Sequence, residues 1–218
     1  MKSPILKLSK ELSKRNIFHK IEGNKILTRR SKTKIPEINE DIMYLLGVIE
    51  GDGSLAIAKR KRGGYHYMLR IYSGEETYLQ YLKELFYKYF SIEGRINKDK
   101  RKNKTFWFEL KNASIFFYFN TLGIKHGKKS EREILLSAKT NQSNLLNYLA
   151  GFVDTDGSIS HKRIQLKQKS QTLLEDVKKS LIKLNLNPAD VKINYTNNIP
   201  FYYIRFDNKL PLRLKQSF

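Results

Sequence analysis

Apolar residues fall into an order of helical and alternating spacings that runs along the chain twice. In the first run, Leu45, Leu46, Val48 and Ile49 make a short apolar block ending at Gly51-Asp52-Gly53. A hairpin pattern follows, Ala56 to Lys59 and Tyr65 to Tyr72, with Gly63-Gly64 supplying residues that a tight turn favours. Leu79, Leu82, Leu85, Phe86 and Tyr89 then recur at helical spacing. A second strand pair, Gly94 to Lys98 and Thr105 to Leu110, is joined by a basic loop. Ile115, Phe116, Phe119 and Leu122 predict a closing helix that stops near Gly123.

The second run is tighter. Ile159 to Lys162 and Arg163 to Lys167 form a short hairpin, and Leu173, Leu174, Val177, Leu181 and Leu184 mark a helix. Val191 to Tyr195 and Phe201 to Phe206 form another hairpin, with Asn197-Asn198 near its turn. Between the runs, Ser130-Glu131-Arg132-Glu133 before Ile134-Leu135-Leu136 reads as a capping box opening a linking helix. The architecture is helix–hairpin–helix–hairpin–helix, twice, although the second copy ends at Phe218 with little room for its last helix.

The duplication is explicit in one segment. Tyr44-Leu45-Leu46-Gly47-Val48-Ile49-Glu50-Gly51-Asp52-Gly53-Ser54-Leu55 recurs without a gap as Tyr148-Leu149-Ala150-Gly151-Phe152-Val153-Asp154-Thr155-Asp156-Gly157-Ser158-Ile159, 104 residues later. The boundaries that follow are a basic N-terminal extension (1–36), a first half (37–129), a linker helix and loop (130–142) and a second half (143–218). Ile5, Leu8, Leu12 and Ile17 allow a short amphipathic helix in the extension, and Arg29 to Pro36 reads as linker. The extension carries eleven Lys and Arg against two Glu, which suits either a solvated appendage or an arm that touches phosphates.

Composition narrows the partner. The 218 residues include 42 Lys and Arg against 21 Asp and Glu, a net charge of +21. Such self-repulsion is relieved by a polyanion, with nucleic acid ahead of an anionic membrane surface. No apolar run approaches the roughly 18 residues of a spanning helix, and no signal-peptide block opens the chain, so an intracellular, cytoplasmic, nucleoid or organellar protein is expected. The absence of cysteine excludes disulfides and Cys-ligated zinc.

The repeated segment suggests a chemistry. Gly47 and Gly51 share one helix face, and Ala150 with Gly151 makes a similar small patch, so the two apolar helices are expected to pack on each other about a pseudo-twofold axis. Each would stop at a capping glycine, Gly53 or Gly157. Asp52 and Asp156 would then meet at the negative ends of two helix dipoles, where divalent cations relieve the repulsion. An EF-hand register fails, because its first and twelfth positions would be Phe152 and Arg163, or Val48 and Lys59. The bland alternative is that Asp-Gly merely ends a helix.

Leu45 to Gly53 and Leu149 to Gly157 resemble the two signature helices of the LAGLIDADG homing endonucleases, in their monomeric, pseudosymmetric form. The resemblance covers about residues 40–215. It implies an α+β fold of two αββαββα halves whose antiparallel sheets form a saddle over duplex DNA. It further implies that Asp52 and Asp156 bind catalytic Mg²⁺, with Mn²⁺ as a substitute, and that Gly51 and Thr155 add backbone carbonyls. Gln168 and Lys129 are the family-like polar residues near the metals, whereas Ser73 and Lys215 are weaker counterparts. For any single Lys, a solvated surface charge is the competing reading.

Strand alternation then nominates residues that read DNA. Arg163, Gln165 and Lys167 alternate with Ile164 and Leu166, while His66, Arg70 and Tyr72 alternate with Tyr67, Leu69 and Ile71. Arg60, Lys162, Lys192, Asn194, Tyr203 and Arg205 complete the set, in which base-specific and purely phosphate contacts remain alternatives. The resemblance implies a metal-dependent, intron-encoded endonuclease that cuts a long double-stranded site to leave 3′ overhangs. An intron RNA maturase and a non-cleaving DNA-binding regulator stay open. The presence of both acids favours cutting, and the lack of protein-splicing termini favours a free-standing monomer over an intein.

Overall fold

The alternating segments form antiparallel sheets whose apolar faces are covered by helices, an α+β fold. The computed structural model describes residues 3–61, 63–99, 105–127, 141–160, 163–207 and 209. The chain divides into two compact units, one of Met1–Ile42 with Gly53–His126, the other of Met43–Asp52 with Gly127–Phe218.

In the first unit, α1 (Pro4–Lys14) leads into a three-stranded sheet of β1 (His19–Glu22), β2 (Lys25–Thr28) and β3 (Lys32–Lys34). Helix α2 (Glu40–Gly51) starts here and passes into the second unit at Met43. A four-stranded sheet follows, ordered β4-β5-β7-β6, from β4 (Gly53–Lys59), β5 (Tyr65–Ser73), β6 (Arg95–Lys98) and β7 (Phe106–Lys111). Helices α3 (Glu76–Phe90) and α4 (Ala113–Thr121) pack on it through an aromatic core. Phe86 meets Phe108 at 5.1 Å between ring centroids, and Tyr67 meets Phe117 at 4.9 Å.

The N-terminal segment is not a detached arm. Helix α4 is buried from Ser114 to Phe119, all round its circumference, because α1 packs against it through Leu8 and Leu12. The stretch read as linker, Arg29 to Pro36, is corrected: it contains β3, and Thr33, Ile35 and Pro36 are buried. Asn112 Nδ2 donates to Thr33 Oγ1 (3.0 Å), and the Tyr118 hydroxyl donates to the Pro36 carbonyl (3.1 Å). These bonds satisfy polar groups that would be costly to bury alone. The sequence pattern missed them because three- and four-residue strands show too little periodicity.

The second unit holds α5 (Gln142–Asp156), β8 (Gly157–Ser160), β9 (Arg163–Gln168), α6 (Gln171–Lys183), β10 (Lys192–Thr196) and β11 (Ile199–Asp207), with sheet order β10-β11-β9-β8. Its core lies between α6 and the sheet, where Leu174, Val177, Leu181, Ile164, Leu166, Ile204 and Phe206 are fully buried. Asn197 and Asn198 both have positive φ (50° and 61°), the conformation a two-residue hairpin turn needs. The linking helix expected from Ser130 onward and the final helix of the second copy fall outside the described residues.

Within this unit α2 and α5 meet backbone to backbone. A Cβ added to Gly47 would stand 2.0 Å from the Tyr148 carbonyl oxygen, and one added to Gly151 would stand 2.1 Å from that of Tyr44. The contacts are reciprocal under the 104-residue repeat, as pseudo-twofold packing requires. Gly151 alone, rather than Ala150 with it, matches Gly47, and Gly51 faces the Thr155 side chain. The expected glycine cap stands at Gly157, whose N–H donates to the Val153 carbonyl, but it is not left-handed. Gly157 is extended (φ −91°, ψ 156°) and opens β8 directly; a Cβ there would meet the Val153 carbonyl oxygen at 2.5 Å, so the position needs space, not a left-handed turn.

Two equivalent tyrosines differ in their bonding. The Tyr44 hydroxyl donates to Asp154 Oδ2 at 2.8 Å, while the Tyr148 hydroxyl is buried with no hydrogen-bond partner among the described residues. Burial, with Glu50 and Asp176 nearby, pushes the Tyr148 phenol well above its usual pKa, so it stays neutral.

Alanine at Gly47 or Gly151 gains about 1 kcal/mol of helix propensity but forces apart two helices in contact. Overpacking of this kind costs about 1–3 kcal/mol or more, so both variants should unfold at lower urea concentration than the parent chain. Tyr44→Phe should destabilise by about 1.5–3 kcal/mol because it strips a donor from a buried carboxylate. Tyr148→Phe should be neutral or stabilising in the same unfolding measurement, since it deletes a hydroxyl that bonds to nothing described.

Candidate metal centre and nucleic-acid interface

Both motif acids lie at the C-terminal ends of the paired helices, since α5 ends at Asp156 and Asp52 directly follows α2. Asp156 Oδ2 lies 3.2 Å from the point a Cβ on Gly51 would occupy. The carboxylate of the second motif therefore stands against the residue preceding the acid of the first. Side-chain-free backbone at Gly51 is what admits it. Gln168, at the end of β9, donates from Nε2 to the same Asp156 oxygen at 2.5 Å. The Thr155 hydroxyl turns its hydrogen back to the carbonyls of Phe152 (3.0 Å) and Gly151 (3.2 Å), and its backbone carbonyl is among those that the end of α5 leaves without a helical partner.

This donor set fits a hard divalent cation. Carboxylates and helix-terminal carbonyls are oxygen ligands, and the dipoles of both helices favour positive charge there. Among the described residues no group of three or more His, Cys, Asp or Glu forms a dedicated cage. A cation at this point would therefore complete its shell with water and substrate oxygens, as Mg²⁺-type sites do. The two halves are not equivalent: Gln168 touches Asp156, whereas Ser73 Oγ accepts from the Glu75 backbone N–H (3.0 Å) and serves a local turn. Lys129, Lys162 and Lys215 lie outside the described residues.

The second unit's sheet presents its polar positions on one face. Cross-strand pairing sets Arg205 opposite Gln165, Tyr203 opposite Lys167 and Lys192, and Phe201 opposite Asn194. Arg163 belongs to the same face by alternation with buried Ile164 and Leu166. Arg205 Nε donates to Gln165 Oε1 at 2.8 Å, and Arg205 and Lys167 sit over the Tyr203 and Phe201 rings at 5.5 and 5.6 Å. These contacts fix two long cations in place, lowering the entropy lost when they meet an anion.

The first unit's sheet is more mixed. His66, Arg70 and Tyr72 share a face, as expected, but β7 adds Trp107 opposite Tyr72, Glu109 opposite Arg70 and Lys111 opposite Met68. Arg70 Nε donates to Glu109 Oε2 at 2.6 Å, and Lys111 reaches Glu109 Oε1 at 2.9 Å. Burial works against the Glu109 carboxylate, yet Lys111 and Arg70 together hold its pKa below the usual range. Arg70 is thus tied to an acid and is not a free cation on this face. Sequence reading passed over Trp107, Glu109 and Lys111, although their alternation with buried Phe108 and Leu110 carries the same period-two signal. Arg60 lies just beyond β4, with its Nε buried and unpartnered among the described residues.

Comparison with known proteins bears on the fold that carries these residues. Residues 143–210 match a LAGLIDADG-like domain. A DNA polymerase of Thermococcus sp. (strain GE8) is 24% identical over 178 residues, and an uncharacterized protein of Methanocaldococcus jannaschii is 22% identical over 157. The match takes in 80% of this chain but only 10% of the polymerase, and 68% of this chain but 52% of the second protein. Among solved structures, mesophilic variants of the homing endonuclease I-DmoI superpose with a TM-score of 0.64 at 19% identity, covering 77% of this chain and 84% of theirs. I-DmoI in complex with DNA and Ca gives 0.60 at 20% identity, with 78% and 84% covered. The duplicated segment thus has its second copy inside a region that matches a LAGLIDADG-like domain, and the chain as a whole has a fold similar to that of the homing endonuclease I-DmoI.

Proposed function

We propose that the chain is a site-specific, intron-encoded endonuclease that hydrolyses both strands of duplex DNA with Mg²⁺, acting as a monomer inside the cell and leaving 3′ overhangs. The observation that carries the reading is the approach of the Asp156 carboxylate to Gly51, beside Asp52, at the joined ends of two helices. I-DmoI, which shares the fold, has been solved with DNA and with Ca or Mn, and the oxygen donor set here suits such a cation. A cation bound there supplies charge neutralisation and Lewis acidity at a phosphodiester.

The chain's own residues would do the rest. Asp52 and Asp156 hold the cation, with carbonyls of Gly51 and Thr155 as further donors. Gln168 fixes the orientation of Asp156. Arg163, Lys167, Lys192 and Arg205 neutralise phosphates, while Gln165 and Asn194 can distinguish base edges.

Asp52→Asn or Asp156→Asn should abolish double-strand cleavage and leave duplex affinity within a few fold, read by gel-shift and cleavage on a site recovered from a randomised duplex library with Mg²⁺. Unchanged cleavage by either variant rejects the assignment. Binding without cutting by the unaltered chain would move the reading to a regulator, and preference for intron RNA to a maturase. Duplex affinity should fall about a thousandfold or more between about 50 and 200 mM salt, as six or more phosphate contacts require. A flat response would contradict the interface.

A further inference from the structure

The N-terminal segment encloses a second basic feature that the metal centre and the sheet faces do not use. A cavity of about 380 Å³ opens in the first unit where the β1–β3 sheet meets the end of the β4–β5 hairpin. Arg15, Arg29, Arg30 and Arg60 line it, with His66 and Lys111 where it borders the sheet; no Asp or Glu lines it. Arg15 is held over the Phe117 ring at 5.6 Å and Arg29 over Phe18 at 5.8 Å, which orients both guanidinium groups without consuming their charge. None of the four arginines makes an ion pair with a described residue, and Arg60 Nε is buried without a partner there.

Four unneutralised guanidinium groups around one cavity repel one another, and an anion with several oxygens relieves that repulsion through forked hydrogen bonds. The cavity lies within the range of small-molecule sites, roughly 300–1,000 Å³, and so exceeds what a lone inorganic anion fills. Its apolar wall, with Phe18 and Tyr65, suits the deoxyribose beside the phosphate. Through His66 and Lys111 it is continuous with the sheet face that carries Arg70 and Tyr72.

We propose that this cavity takes a backbone phosphate, with its deoxyribose, from the target duplex beyond the stretch covered by the strands. The N-terminal segment then lengthens the DNA footprint. This rests on the endonuclease reading, and the test separates the two. The full chain is treated with phenylglyoxal, an arginine reagent, with and without a mixed-sequence duplex, and modification is mapped by mass spectrometry. Protection of Arg29, Arg30 and Arg60 alongside Arg163 and Arg205 is expected. Protection of Arg163 and Arg205 alone overturns the cavity assignment and leaves the endonuclease reading standing. Protection nowhere removes both, and protection by double-stranded RNA but not DNA also overturns the proposal.

A second measurement guards against indirect shielding. Arg29 and Arg30 are exposed, so the Arg29→Ser, Arg30→Ser double variant should fold. It should bind the duplex about tenfold more weakly at low salt, with the slope of log affinity against log salt shallower by about 2. An unchanged slope counts against phosphate contact in the cavity.

Discussion

Backbone contact between α2 and α5 is the constraint from which the rest of the molecule follows. Two apolar helices of ordinary composition would keep their axes 8–10 Å apart, with side chains interleaved. Glycine at 47 and 151 removes the intervening atoms and lets each helix rest on a carbonyl of the other. That closeness brings Asp156 up to Gly51 and gathers the oxygen donors of both copies. It also has a cost, because close packing of the motifs buries Glu50 and Asp154. The Tyr44 hydroxyl answers the second of these acids directly, so polar groups one turn before the site are part of what holds its frame.

The charge distribution fits the same plan. An excess of +21 is hard to hold in a small protein, and the structure does not cancel it internally. In the second unit, cations stand over aromatic rings or against an amide; in the first, Glu109 ties down Arg70 and Lys111. The two sheets therefore differ in how much free positive charge they expose. The first unit also carries Arg15, Arg29 and Arg30 around the cavity beside its N-terminal sheet.

Much of this was legible in the sequence because it depends on local period or exact repetition. The duplicated Tyr-to-Ser segment carried the helix pairing, and period-two alternation put Arg163, Gln165 and Lys167 on one face. Gln168 beside Asp156 was nominated by family resemblance, and the hydrogen bond between them is consistent with that role. What stayed hidden depends on tertiary partners. The strands before Pro36 are too short to show a period, and burial of α4 on every side required α1 to be placed first. Arg70 looked like a free cation because Glu109 lies 39 positions away and becomes its neighbour only through strand register. Gly157 caps α5 as expected, yet it is glycine for want of space beside the Val153 carbonyl one turn back, which no local pattern shows.

The contact between Gly51 and Thr155 shows how far the two copies have drifted apart. The threonine occupies the volume that its counterpart lacks, so each residue is fitted to the other and not to itself. Two first copies brought together would leave a void at this point, and two second copies would collide. The fit therefore favours one copy of each kind side by side over two of the same kind, a preference set by the bulk of one threonine side chain.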